Sequence, residues 1–280
     1  MLHVVERHYS ANPEFRMVCA AYRSATNLPD QSNSQRYNVE NVRQDSEPLM
    51  NCVHEMAAFR ELLDNTATIQ RAILLQGRHG CGKTRLLREY RRLAEAHLHK
   101  VIEFDLSKQL SIEHCLERIV NNSTDSSRFI AFEQSLRKKK PESLSRQADW
   151  HEELTRAFFN DLRGQRTSTP IFVFFDHLEK ADRPLRSWLL DEFVVRLAER
   201  PLLAVLASHA ELDRVQHLEW VRFFTPKIPQ IEHFYEYASR FDVQLEPAVM
   251  TALFTAFHMT PKSFTDYVDA MRLQQRGQPA

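Results

Sequence analysis

Three of the chain's five glycines fall within one octet, Gly77-Arg78-His79-Gly80-Cys81-Gly82-Lys83-Thr84, so glycine is concentrated where it can do chemistry. The spacing is Gly, four residues, then Gly-Lys-Thr. It is entered from the apolar run Ala72-Ile73-Leu74-Leu75-Gln76 and followed by a helix-forming stretch over residues 85–97. A strand, a glycine loop and a helix in that order make a cradle for nucleotide phosphates. A triphosphate carries several negative charges that must be met by donors arriving without steric interference. Glycines let successive backbone N–H groups turn inward as an anion nest. The helix starting near Lys83 adds the positive end of its dipole. Lys83 is expected to reach the β and γ phosphates and the Thr84 hydroxyl to ligate magnesium. The rest of the octet and Arg85 line the nucleotide.

Magnesium needs a carboxylate partner, and the most hydrophobic segment supplies one. Ile171-Phe172-Val173-Phe174-Phe175 is a continuous apolar run, as a strand covered on both faces requires, and it ends in Asp176. In open α/β sheets ligands bind at the C-terminal strand edge. Asp176 is therefore the expected magnesium-side acid, on a strand adjoining that of the phosphate loop; capping of the next helix is the alternative. Hydrolysis also needs a group that holds the attacking water. Many P-loop ATPases place a carboxylate immediately after the metal acid, where this chain has His177. Glu179, two residues on, is the candidate base, with stabilisation of a helix start as the competing role. His177 can orient water but does not easily replace a carboxylate.

The elements that position these residues read as an α/β fold: a P-loop NTPase core with a central parallel sheet flanked by helices, plus a small C-terminal helical lid. Residues 1–48 form a lead-in, rich in Asn, Gln, Ser and Asp and partly disordered. Residues 49–225 make the core, 226–275 the lid and 276–280 a tail. Apolar residues recur at helical spacing over 49–63, a second strand covers 101–106, and helices cover 112–120, 129–136, 150–162 and 184–200. A further buried strand, 202–207, ends at Ser208-His209. Either residue is placed to sense the γ-phosphate or to cap. The lid reads as helices over 229–241, 245–257 and 261–273. Its aromatics at helical spacing are core residues rather than a base-stacking platform.

Composition narrows the partners. Across 280 residues, 37 basic side chains balance 37 acidic ones, so no global pull toward nucleic acid or membrane follows. The run Arg137-Lys138-Lys139-Lys140-Pro141 reads as a solvated helix end rather than a nucleic-acid contact. Cys19, Cys52, Cys81 and Cys115 have no paired spacing for zinc, which fits a reduced, cytoplasmic setting. No apolar stretch approaches the roughly 18 residues a membrane span needs.

From Ile171 to Leu212 the chain resembles the nucleotide-binding domain of the STAND ATPases, the AAA+-related signal-transduction ATPases with numerous domains. The resemblance rests on Asp176-His177-Leu178-Glu179, an Asp-x-x-Glu arrangement, and on Trp188-Leu189. Cys52-Val53-His54-Glu55 with Phe59 and Leu62-Leu63 is similar to the helix that opens that module beside the adenine. The resemblance implies ATP, in keeping with the absence of a guanine-reading Asn-Lys-x-Asp motif, and a slow ATPase whose nucleotide state controls association with a protein partner or another copy. Three departures stand out. Ser208-His209 replaces the family's Gly-Arg. Met259-Thr260-Pro261 replaces Gly-x-Pro, leaving Pro261 for the adenine and Lys262 for phosphate. Only the tail, residues 276–280, follows the lid, which implies a nearly minimal switch. Arg222 falls where AAA+ relatives supply an arginine finger, with a surface salt bridge as the alternative. A DNA-handling AAA+ ATPase is the second reading, and a non-hydrolysing scaffold the third.

Overall fold

A computed structural model describes residues 49–64, 69–123, 126–138, 140–141, 143–163, 170–198, 202–209, 215, 217–227, 229–248, 250–251, 254 and 261–277. The lead-in expected over residues 1–48, most of the turn before Pro170, and Met259-Thr260 lie outside them.

The described chain forms a larger unit, Cys52–His79 with Lys83–Pro226, and a smaller one whose core lies beyond Lys227. In the larger unit α1 (Val53–Asp64) precedes β1 (Ala72–Gln76), and α2 (Lys83–Ala96) leads to β2 (Lys100–Asp105). Then come α3 (Ile112–Asn121), α4 (Ile130–Leu136), α5 (Leu144–Arg163) and β3 (Ile171–Asp176). A short α6 (Arg183–Ser187) and the segments after it lead to β4 (Leu202–Ser208) and β5 (Val221–Phe224). Local signals set several starts. The Ser111 hydroxyl accepts the His114 N–H to cap α3, and Asp182 accepts from Leu185 N–H to cap α6.

All five strands run parallel, in the order β2-β3-β4-β1-β5. Every residue of β4 is buried, and β3 is buried up to Asp176, as sheets covered on both faces demand. Alternation along β3 feeds two cores. Val173 and Phe175 join a cluster with Phe104, Phe158, Phe159 and Phe193. Phe172 and Phe174 face Phe59 of α1, which stacks on Tyr90 of α2 with ring centroids 4.0 Å apart. The Tyr90 hydroxyl donates to the Glu55 carbonyl at 2.7 Å. Burial pushes the Tyr90 phenol well above its ordinary pKa, keeping it a donor.

Two expectations need correction, and a third feature was not expected. The strand of the phosphate loop and that of Asp176 do not adjoin, because β4 lies between β1 and β3. A single helix does not cover 184–200. After α6 the backbone widens into a π-helix, Trp188–Phe193, and then a 3₁₀ turn, Val195–Leu197. Trp188, Leu189, Leu190, Phe193, Val194 and Leu197 are all buried, and the wider turn, with Val194 N–H bonded to the Leu189 carbonyl at 3.0 Å, turns more of them inward than an α-helical stripe would. The third is an omission. β5 is only four residues long, and Arg222 interrupts its apolar character, so it is defined by pairing with β1 rather than by pattern.

The smaller unit packs α7 (Ile231–Ser239) with α8 (Pro261–Gly277) around Phe234, Tyr237, Phe264 and Val268. Phe234 meets Phe264 edge-on at 4.7 Å, so these aromatics are core, as their spacing indicates. Of the helix expected over 245–257, residues 247–248, 250–251 and 254 are helical and much of the remainder lies outside the described residues.

The Phe59–Tyr90 stack joins two helices to the sheet, which sets a stability expectation. Phe59→Ala should cost about 3–5 kcal/mol through the cavity it leaves. Tyr90→Phe, which strands only the Glu55 carbonyl, should cost about 1–3 kcal/mol. Urea unfolding of the whole chain, with equal slopes for the variants, checks both.

Candidate nucleotide site

Because the strands are parallel, their C-terminal ends share one edge. Asp105 pairs in register with Asp176, and Gln76 with Ser208. The Gly77 N–H continues that ladder to the Ser208 carbonyl at 3.1 Å. Ser208, almost fully buried, therefore stands between the loop's entry and the acid's strand.

Beyond Gln76 the loop turns through Gly80 at φ 82° and Gly82 at φ 96°, both left-handed. A Cβ on Gly82 would meet nothing within 4 Å, so the backbone angle demands glycine there and the space in front of it is open. Lys83 Nζ arches back to donate to the Gly77 carbonyl at 2.6 Å and the Arg78 carbonyl at 3.0 Å. Arg78 and His79 are exposed, Cys81 is buried, and Thr84 and Arg85 are half-buried in the first turn of α2. Two left-handed glycines, open space in front of Gly82, the Lys83 ammonium and the start of a helix of 14 residues fit a polyanion. The Thr84 hydroxyl and the Asp176 carboxylate are the hard oxygen donors that suit magnesium.

At the other side of the edge the chain folds back sharply. His177 takes a left-handed φ of 60°, and its N–H donates to Asp176 Oδ1 at 2.8 Å. Its ring Nδ1 lies 3.1 Å from Asp105 Oδ1 and 3.7 Å from Asp176 Oδ2. Asp105 Oδ1 also accepts from the Ser107 hydroxyl at 2.6 Å and the Ser107 N–H at 3.1 Å. Sequence reasoning missed Asp105 and Ser107. The available signal was that the second strand, like the third, ends in an acid.

Glu179 reaches the end of β4. Its Oε2 accepts from the His209 N–H at 3.2 Å and the Ser208 hydroxyl at 3.5 Å, and its Oε1 lies 3.0 Å from His209 Nδ1. Burial alone would raise its pKa. Hydrogen bonds from its own and the His209 backbone N–H, with the His209 and His177 charges, outweigh that and hold the carboxyl below its ordinary range. Arg186 secures the turn by donating to the Glu179 and Ala181 carbonyls at 2.9 and 2.8 Å. Ser208 and His209 thus face Glu179. Arg222, on β5, forms an ion pair with Glu61 of α1 at 2.6 Å. Pro261 opens α8 in the smaller unit.

A parallel sheet, a glycine loop running into a helix and a strand-end carboxylate define a P-loop module of the AAA+ type. The chain belongs to the AAA ATPase domain family, whose sequence profile matches residues 54–221. No curated protein sequence matches it. Among solved structures it is similar to AMPPCP-bound DnaA from Aquifex aeolicus, at 13% identity over 82% of this chain and 64% of that one, with a TM-score of 0.48. It is also similar to Cdc6p from Pyrobaculum aerophilum, at 14% identity, 84% and 65% coverage and a TM-score of 0.47. A STAND protein with a tetratricopeptide repeat sensor from Pyrococcus horikoshii matches at 13% identity, 78% and 32% coverage and a TM-score of 0.44. The chain spans less than two thirds of the length of each. Among the described residues, no helix is long and apolar enough to cross a membrane.

The basic run after α4 is neutralised where it is described. Arg137 pairs with Glu133 at 3.5 Å, Lys138 with Glu153, and Lys140 with Glu113 at 2.5 Å. Lys139 lies outside the described residues. Glu113 also meets His151 Nε2 at 3.2 Å and is largely buried. Burial would raise its pKa, but hydrogen bonds from His151, Lys140 and Ser111 hold it well below the ordinary carboxylate range. A depressed folded pKa stabilises above the unfolded value, and that contribution is lost as pH falls through the folded one. At pH 7 Glu113→Ala should cost about 1.5–3 kcal/mol. As pH falls below about 4, the unfolded carboxyl's ordinary value, the gap to wild type should close. Urea midpoints measured between pH 7 and pH 3 test this.

Proposed function

We propose that the chain binds ATP with magnesium in the Gly77–Thr84 loop and hydrolyses it slowly, and that the bound nucleotide controls association with a protein partner or a second copy. The loop carries this reading: two left-handed glycines, with open space in front of Gly82 and Lys83 laid along the loop carbonyls where an incoming phosphate would take its ammonium. Family membership supports ATP as the nucleotide. Lys83 binds the β and γ phosphates. Thr84 and Asp176 hold magnesium, Asp176 directly or through a water. Gly77, Arg78, His79, Gly80, Cys81, Gly82 and Arg85 line the phosphates, and Pro261 serves the base, as the family resemblance implies.

ATP shifts the chain toward one conformation only by binding that conformation more tightly. A switch therefore needs a group that distinguishes the nucleotide states. Glu179, which touches both residues at the end of β4, is the side chain suited to pass such a difference between strand ends. DNA handling would draw on the basic run, and the acids paired with Arg137, Lys138 and Lys140 count against it.

Titration calorimetry with ATP and magnesium should give saturable binding. Lys83→Ala should weaken it about 10–100-fold, the equivalent of losing a charge-assisted contact of roughly 1.5–3 kcal/mol. Light scattering after size exclusion should show a mass change with a non-hydrolysable ATP analogue that disappears in Lys83→Ala. No heat with any purine triphosphate would overturn the reading.

A further inference from the structure

The outer side of α1 is one continuous exposed face. Val53, His54, Ala57, Arg60, Glu61 and Asp64 recur at helical spacing and all are exposed, while the residues between them turn inward to the core. Beside this face lies an open groove of about 520 Å³, whose opposite wall carries Ile73 of β1 and Arg222 of β5. Of the five large apolar side chains exposed among the described residues, two belong here. Val53, at the start of α1, is 75% exposed, and Ile69, next to the groove residue Gln70, is 65% exposed. Exposed apolar groups rimmed by polar ones mark interaction surfaces.

The charges on the face are not balanced where they stand. Glu61 is taken by Arg222 at 2.6 Å. Arg60 forms no ion pair among the described residues, and Asp64, 71% exposed, is met among them by the His97 ring alone, 3.8 Å away. A cation and an acid one helical turn apart are complementary to the same face turned end for end. The face is also tied to the phosphate loop. α2 begins at Lys83, and Tyr90, two turns on, stacks on Phe59 of α1 and donates to the Glu55 carbonyl at 2.7 Å.

We propose that the exposed face of α1 is where a second copy of this chain docks, two-fold and antiparallel, with Arg60 of each copy on Asp64 of the other. The inference rests on the association reading above and names its partner and its surface. In that arrangement Val53 of one copy lies toward Ile69 of the other, and the methyl of Ala57 lets the helices approach closely. Movement of α2 on phosphate binding reaches α1 through the buried Phe59–Tyr90 contact, so nucleotide governs docking. A helix of 12 residues offers a strip about 18 Å long and about 10 Å wide, well short of the roughly 800 Å² per partner of a standing interface. The dimer is therefore transient and open to control.

Sedimentation of the full chain over a range of concentrations, with and without a non-hydrolysable ATP analogue, tests this. The analogue should drive wild type toward a dimer. Arg60→Asp and Asp64→Arg each turn both attractive pairs of the dimer repulsive, so each should weaken association about 10–30-fold. Mixed in equal amounts, the two variants should recover it to within about threefold, because every cross pair between them is again opposite in sign. Misfolding would not be repaired by mixing. ATP binding by calorimetry should stay within about threefold of wild type in both. A dimer that ignores both reversals, or reversals that mixing does not repair, would overturn the assignment and leave the ATP reading standing. So would a wild type that binds ATP through Lys83 yet stays monomeric, which would give the face to a different protein. A dimer that follows the reversals in a chain giving no heat with ATP would uphold the surface and overturn its control by nucleotide.

Discussion

Parallel strand alignment is the constraint on which the rest of the structure depends. It brings four strand ends to one edge and so places Asp105, Asp176, Ser208 and the entry to the glycine loop in a single row. Those residues are widely separated in sequence, and no local interaction would bring them together. Burying β3 and β4 on both faces makes the row rigid, because their apolar side chains are committed to cores above and below.

The same alignment creates a difficulty that the chain resolves locally. Two carboxylates directly opposite each other on neighbouring strands repel. Here the Asp105 carboxylate is taken up by two donors from Ser107, the Asp176 carboxylate accepts the His177 N–H, and the His177 ring stands between them. The left-handed backbone of His177 is the conformational cost of that arrangement, of order 1–2 kcal/mol for a residue with a Cβ. A strained residue next to a strand-end acid is a common mark of function. Glu179 makes the corresponding link on the other side, tying the turn after β3 to the end of β4.

Charge is treated differently away from that edge. The basic run is laid against acids of α3, α4 and α5, and Arg222 is laid against Glu61, so each described cation of these two regions has an acidic neighbour. The neutral overall balance of the chain is thus realised locally as well as in total. Exposed pairs of this kind add little stability, but they remove the uncompensated positive surface that a polyanion of any sequence would seek.

By itself the sequence determined the strand, the glycine loop and the helix after it, since those depend on glycine's backbone freedom and on short-range apolar pattern. It also determined that Asp176 ends a buried strand, and that Phe234, Tyr237 and Phe264 of the smaller unit are core. Only the tertiary structure decided the strand order, because β4 enters between β1 and β3 through contacts far apart in the chain. It decided the existence of β5, whose four residues carry too little pattern to be read alone. It decided the π-turn at Trp188–Phe193, where packing outweighs the helical period. It also joined Asp105 to His177, because a hydrogen bond between residues 72 positions apart depends on strand register, which no local propensity encodes.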